Sequence, residues 1–332
     1  MSETKPYIGG QAVLEGVMMR APECMTVAVR RPDGTIVLKE ELLSGGRKGV
    51  WKLPGFRGMA ALVESMRLGY RALAFSAEHA FEERPEGESS WAMVLSTLIA
   101  ITLFIVIPQG LASGAGWLFG VDLALDDWRF HFVTGVFKLL VITGYMVFVS
   151  RVPEMRRVFQ YHGAEHKTIF TYEEGLPLTV ENVRKQSTLH PRCGTTFLIM
   201  VVAVAVVLIV ALAPLLAFKS GAVGWIQVLA VRLALLPVIA GVAFELQRFT
   251  ARYCTTGPLR VLLWPGFLFQ KITTREPDDA QIEIAIAAMR AAEWRGAKGD
   301  KEPVSDAPRF FEGFDGLIAD LSLDTPSVQP AA

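Results

Sequence analysis

The sequence is poor in cysteine and histidine and has no surplus of either charge. Three cysteines in 332 residues, Cys24, Cys193 and Cys254, are too few and too scattered for a disulfide framework. Thirty-three basic residues balance thirty-three acidic ones, so nothing global points to nucleic acid. The first ninety residues carry no long apolar run and Met1–Gly10 has no hydrophobic stretch, so no cleavable signal peptide is expected. What the chain does have is apolar residues: 52% of the total, with a mean hydropathy of +0.36. They are concentrated rather than spread. This excludes a disordered chain, a collagen-like fibre and a purely soluble enzyme, and predicts an integral membrane protein.

Four stretches, Trp91–Leu111, Phe130–Ser150, Phe197–Phe218 and Val223–Phe244, approach the roughly 20 residues that a helix needs to cross a bilayer. The second carries His131 and Lys138. The fourth carries Arg232 near its middle, followed by Pro237. A central arginine costs roughly 2.5–3.5 kcal/mol on insertion, so Arg232 is expected to face protein or water. The loop Arg151–Thr196 contains seven Lys/Arg, whereas Ala112–Arg129 contains only Arg129 beside Asp122, Asp126 and Asp127. By the positive-inside rule the central loop and both termini are expected in the cytoplasm.

Outside the spans, Met25–Arg31 and Thr35–Leu42 flank Pro32-Asp33-Gly34 and predict a β-hairpin. Apolar residues between Phe56 and Phe81 recur at Met59, Leu62/Val63, Met66, Tyr70, Leu73, Ala77 and Phe81, which is helical spacing. That helix is expected either on the membrane surface or against the cytoplasmic domain. Gly257–Gln270 is apolar but too short to span and reads as interfacial; Asp278–Trp294 reads as a helix. From Gly296 onward seven acidic residues face three basic ones, the composition of a flexible tail.

The predicted fold class is therefore mainly α, a polytopic membrane protein with four spans and a small cytoplasmic α+β portion. Its expected divisions are a glycine-rich motif and hairpin (1–55), an amphipathic helix (56–90), a first transmembrane hairpin (91–150) and a cytoplasmic loop (151–196). A second transmembrane hairpin (197–245), an interfacial segment with a helix (246–295) and a disordered acidic tail (296–332) follow.

Three of the five histidines fall within the central loop. Tyr161–Lys167 contains H-x-x-E-H, which on a helix puts His162 and His166 on one face with Glu165 beside them. Two imidazoles at that spacing can hold one metal ion, with the carboxylate near its open position. The alternative is a pair of core histidines satisfied by hydrogen bonds. His190-Pro191-Arg192-Cys193 adds an imidazole and a thiol just before the third span, where the positive end of the helix dipole favours thiolate. Glu245, ending the fourth span on the same surface, is a further candidate ligand, or else the ion-pair partner of Arg248 or Arg252. Two histidines, a carboxylate and a water would make an open catalytic zinc site; three histidines and a thiolate would make a closed structural one. A metal-free Cys193–His190 nucleophile pair is the third arrangement. The block Gly9–Arg20 sets three glycines around Gln11, Glu15 and an apolar run; it matches no phosphate-binding pattern, and close backbone packing would also use its glycines.

Gly9–Arg20, Tyr161–Lys167, His190–Thr196 and Leu236–Glu245 together resemble the bacterial YqhQ-like family (DUF1385), from about Tyr7 to Arg290. The resemblance implies a multi-span inner-membrane protein and a metal-dependent enzyme of unspecified reaction. The residues then predict a metal centre at the cytoplasmic face, with His162 and His166 as ligands and His190, Cys193 or Glu245 completing it. Zinc is the first expectation and iron the second. Glu165 is the expected general base in hydrolysis of a peptide or lipid-linked substrate. A metal-stabilised scaffold that organises protein partners, and a transporter using Arg232 and Lys138, are the alternatives.

Overall fold

The computed structural model describes residues 6–43, 49–81, 90–121, 123–216, 218–219, 221–298 and 307–323. Five strands open and close the chain: β1 (Gly9–Val13), β2 (Gly16–Arg20), β3 (Cys24–Arg30), β4 (Ile36–Leu42) and β5 (Arg309–Phe311). They form one antiparallel sheet in the order β1-β2-β3-β4-β5. The expected hairpin is β3–β4, with Arg30 opposite Ile36 across the Pro-Asp-Gly turn. The glycine-rich block forms a second hairpin: Val13 pairs with Gly16, leaving Leu14-Glu15 as the turn. Glu15 adopts a positive φ of 49°. Its carboxylate accepts from Arg157 Nε at 2.6 Å and Tyr161 Oη at 3.3 Å, contacts that hold an unfavourable backbone conformation in place.

Eleven helices follow among the described residues. Helix α1 (Phe56–His79) precedes the first span, which is α2 (Ser90–Ile101), a π turn over Thr102–Val106 and α3 (Ile107–Leu118). Pro108 lacks an amide donor just past that turn, a common cause of such irregularity. The remaining helices are α4 (Trp128–Val149), α5 (Pro153–Glu173), α6 (Val180–Arg184), α7 (Gly194–Leu212), α8 (Gly221–Tyr253), α9 (Trp264–Thr273), α10 (Asp279–Lys298) and α11 (Phe314–Leu323). Among the described residues, four helical stretches are long and apolar enough to cross a membrane: Val94–Leu118, Trp128–Val149, Gly194–Leu215 and Gly221–Tyr253. The last runs unbroken through Pro237 for 33 residues. Arg232 is directed into the bundle as expected, donating to Gln109 Oε1 at 3.1 Å. Because the candidate spans alternate in direction, the sheet, α1, α5, α9, α10 and α11 gather at one end, and the turns at 119–121, 123–127 and 218–219 lie at the other.

The sheet is covered on both faces. On one side α5 and α10 bury Tyr161, Ile169, Ile282, Ile286 and Met289 against Val17, Met19 and Leu38. Helix α10 is apolar on nearly every side, which suits a helix enclosed all round. It starts with a reciprocal capping box: Asp278 Oδ1 accepts from Gln281 N at 2.8 Å, and Gln281 Oε1 accepts from Asp278 N at 3.0 Å. On the other side α1 lays Leu68, Ala72 and Phe75 on Met18, Val27 and Val29. Both expectations for α1 thus find a basis, because Val63, Met66 and Tyr70 remain exposed on its opposite side. The exposed Leu259, Leu262, Trp264 and Leu268 likewise give the 257–270 segment an apolar surface.

The expected disordered tail needs correcting over residues 307–323. Strand β5 adds to the sheet edge, with Leu38 opposite Arg309, and Leu317 and Leu321 of α11 are buried. Their apolar side chains, diluted by neighbouring acids and glycines, carry too little local signal to outweigh the composition. Gly296–Lys298 likewise belong to α10, and residues 299–306 and 324–332 lie outside the described residues.

Candidate metal centre

Helix α5 supplies the first two groups. Pro153 occupies its first turn, where a missing amide donor costs nothing. His162 and His166 stack one turn apart with ring centroids 4.4 Å from each other. The Nδ1 of His162 faces the Thr273 carbonyl at 2.8 Å, and the Nδ1 of His166 faces the Thr188 carbonyl. A carbonyl can only accept, so in each ring Nδ1 carries a proton, and Nε2 is the nitrogen that can bind a metal ion once it is free of its own proton. This is the outer-sphere arrangement that orients histidine ligands. The third group is Cys193, the N-cap of α7, whose Sγ accepts from Thr195 N at 3.4 Å and lies 3.2 Å from His162 Nε2. One ligand atom from each of His162, His166 and Cys193 falls within 4.8 Å of the others.

The electrostatics favour a charged pair. Burial would raise the Cys193 thiol, but His162 and His166 outweigh it and hold the group well below its ordinary value. Burial works against a charged His162 too, yet the neighbouring Cys193 and Glu165 raise it to about 9. Glu165 is raised by burial despite both imidazoles, and its Oε2 has no hydrogen-bond partner. An orphaned carboxylate oxygen, 5% exposed as a residue and beside two imidazoles and a thiolate, needs a ligand or water to satisfy it. Three nitrogen and sulfur donors of this kind fit the number of protein ligands that a catalytic zinc ion takes.

His190 and Glu245 are not brought into this group. The His190 ring stands 5.7 Å from that of His166, with Nε2 3.5 Å from Glu173 Oε2. Burial lowers its pKa, whereas Glu173 is held below the usual carboxylate range by His190 and Arg192 in spite of burial. Glu245 accepts from Arg57 Nε at 2.6 Å and from the Gly55 amide at 3.4 Å, tying α1 to α8. Neither Arg248 nor Arg252 supplies that hydrogen-bond pair. Sharing a plane with Cys193 did not place Glu245 beside it, because Arg57 approaches from the other side of the chain.

Three positioning residues were not apparent from the sequence. Gln270 is fully buried; its amide accepts from His190 N at 2.8 Å and donates to His190 O at 2.8 Å and to Thr196 Oγ1 at 2.7 Å. Gln247 Nε2 donates to the Cys193 carbonyl at 2.9 Å, and Thr273 supplies the carbonyl for His162. A polar side chain closing an apolar stretch, as Gln270 does, is the available clue. Gly10 belongs here as well. A Cβ on it would lie 2.7 Å from Glu165 Cγ, so only glycine lets β1 pass beside that carboxylate.

Gly163, inside the histidine motif, faces the Arg275 carbonyl at 2.0 Å from an added Cβ. Gly163→Ala is expected to push the 274–277 segment off α5, to cost roughly 1–3 kcal/mol and to disturb the adjacent Thr273–His162 contact. Thermal unfolding in detergent checks this, and a variant melting with the wild type would contradict it.

The site opens into a cavity of about 730 Å³ between the sheet, α1, α5 and the near ends of α7 and α8, lined by polar Gln11, Glu165 and Arg192 and by apolar Leu62, Phe197 and Phe244. Fold and site together define a sheet-and-helix domain at one end of four candidate membrane-spanning helices, with a His/Cys cluster at the junction. The chain belongs to the family described as "Protein of unknown function (DUF1385)", which matches residues 53–294. It is 37% identical over 309 residues to "Uncharacterized protein YqhQ" of Bacillus subtilis (strain 168), covering 86% of this chain and 91% of that protein. No solved structure matches it. The family match includes all four His/Cys candidates but begins after β4.

Proposed function

We propose that this protein is a metal-dependent hydrolase of the bacterial inner membrane, acting at the cytoplasmic face on a peptide or lipid-linked substrate. The observation carrying the reading is the convergence of His162, His166 and Cys193 beside the unpartnered oxygen of Glu165. His162 and His166 would bind through Nε2 and Cys193 through Sγ. A divalent ion held there, zinc first and iron second, would supply Lewis acidity and lower the pKa of water. Glu165 takes a proton from the attacking water and returns it to the leaving group, a role suited to a carboxyl raised by burial. Thr273, Thr188 and Gln247 fix the donors before substrate arrives.

The mixed lining of the cavity, apolar Leu62, Phe197 and Phe244 with polar Gln11, Glu165 and Arg192, suits an amphiphilic substrate. The cytoplasmic orientation rests on seven Lys/Arg in the 151–196 loop against one in the 112–129 loop.

Elemental analysis of detergent-purified protein tests the site. Wild type is expected to carry about one equivalent of zinc or iron, and monodisperse His162→Ala/His166→Ala close to none. Wild type without metal, or a double variant that keeps it, overturns the reading.

A further inference from the structure

A second polar site lies within the spans, apart from the His/Cys cluster. Arg232 of α8 and Lys138 and His131 of α4 line one cavity of about 130 Å³, otherwise walled by side chains such as Val206 and Leu236. His131 Nε2 lies 2.9 Å from the Leu125 carbonyl, which makes Nε2 the protonated nitrogen. Its Nδ1 is then an acceptor, 3.4 Å from Arg232 Nη2. His131 and Gln109 therefore orient Arg232 without neutralising it. No ion pair to Lys138 is found among the described residues. The two cations face the cavity uncompensated.

No acid in the spans answers them. Glu245 is the only carboxylate in the four spans, and Arg57 engages it. Asp127, at the start of α4, is held by Arg129 Nη2 at 2.6 Å. Arg232 stands eleven residues into α8 and Lys138 ten into α4, each about 15 Å along its helix from the end remote from the sheet. That depth is near the middle of a hydrocarbon layer about 30 Å thick, where an unpaired cation is costly and marks a ligand pathway or site. The volume lies well below the roughly 300–1,000 Å³ of organic-ligand pockets, so one small group fits.

We propose that this cavity binds a phosphate-type oxyanion between Arg232 and Lys138, free or as the head group of an anionic lipid. The guanidinium gives a planar fork for two oxygens, and the ammonium gives a point charge for a third.

The test uses full-length protein purified in phosphate-free buffer. Inorganic phosphate binding is measured by equilibrium dialysis, and phosphatidylglycerol retention against phosphatidylcholine by native mass spectrometry. At least one probe is expected to bind saturably, with affinity falling at least about tenfold in Arg232→Gln and in Lys138→Gln and largely recovered in Lys138→Arg. Phosphate alone binding identifies a free anion; phosphatidylglycerol alone identifies the lipid. If Arg232→Gln does not fold, the Lys138 pair decides. Absence of binding to wild type by either probe overturns the proposal. So does unchanged binding in monodisperse Lys138→Gln.

Discussion

Glu165→Gln is expected to keep its metal and lose its function. Glutamine has nearly the same shape, so it can still receive the Ala12 amide and occupy the space that Gly10 leaves open. What it cannot do is accept and return a proton. Removing a positioned general base costs about 10²–10⁴ in rate, enough to abolish complementation of a deletion strain. His162→Ala should fail in the same assay for a different reason, the loss of a ligand, and elemental analysis separates the two. If Glu165→Gln complemented like wild type while His162→Ala did not, Glu165 would lie outside the chemistry and the site would be a structural one.

The parts legible in the sequence were those with local signals. Long apolar runs located the four candidate spans, β-rich runs on either side of Pro-Asp-Gly located β3–β4, and i,i+4 spacing paired His162 with His166. Cys193 could be read too, because its place before the third span fixed it at a helix N-terminus. The remainder depended on distant pairing. Strands β1 and β2 are five residues each and become recognisable only beside β3 and α5. Strand β5 has three residues, and its place comes from β4. Glu245 had two arginines nearby in sequence, yet its partner Arg57 is 188 residues away. Helix α10 could be read as a helix, but not as the element enclosed by sheet, α5 and α11.

Glu40→Ala is expected to destabilise the sheet domain by about 3–5 kcal/mol, the usual consequence of removing one partner of a buried ion pair. The Glu40 and Arg295 side chains are each 5% exposed and lie 2.6 Å apart. Arg309 of β5 reaches the other oxygen of the same carboxylate, so one acid serves β4, α10 and β5 together. Truncation therefore removes the buried carboxylate that faces Arg295, whereas Arg309 keeps Asp320 at 2.7 Å and partial access to solvent. Arg309→Gln should cost much less, of the order of 1 kcal/mol or below, because it leaves the Glu40–Arg295 pair intact. Trp294 reports the difference, since both guanidiniums lie over its ring at 4.7 and 5.2 Å. Its fluorescence during denaturant unfolding in detergent should show the midpoint shift. Equal effects from the two variants would mean that the edge contact, not the buried pair, holds α10 in place. The outcome bears on the His/Cys cluster because α10 packs along α5, and the segment leading into α10 supplies the Thr273 carbonyl that orients His162. A domain loosened at Glu40 should therefore hold metal less tightly, although Glu40 takes no part in binding it.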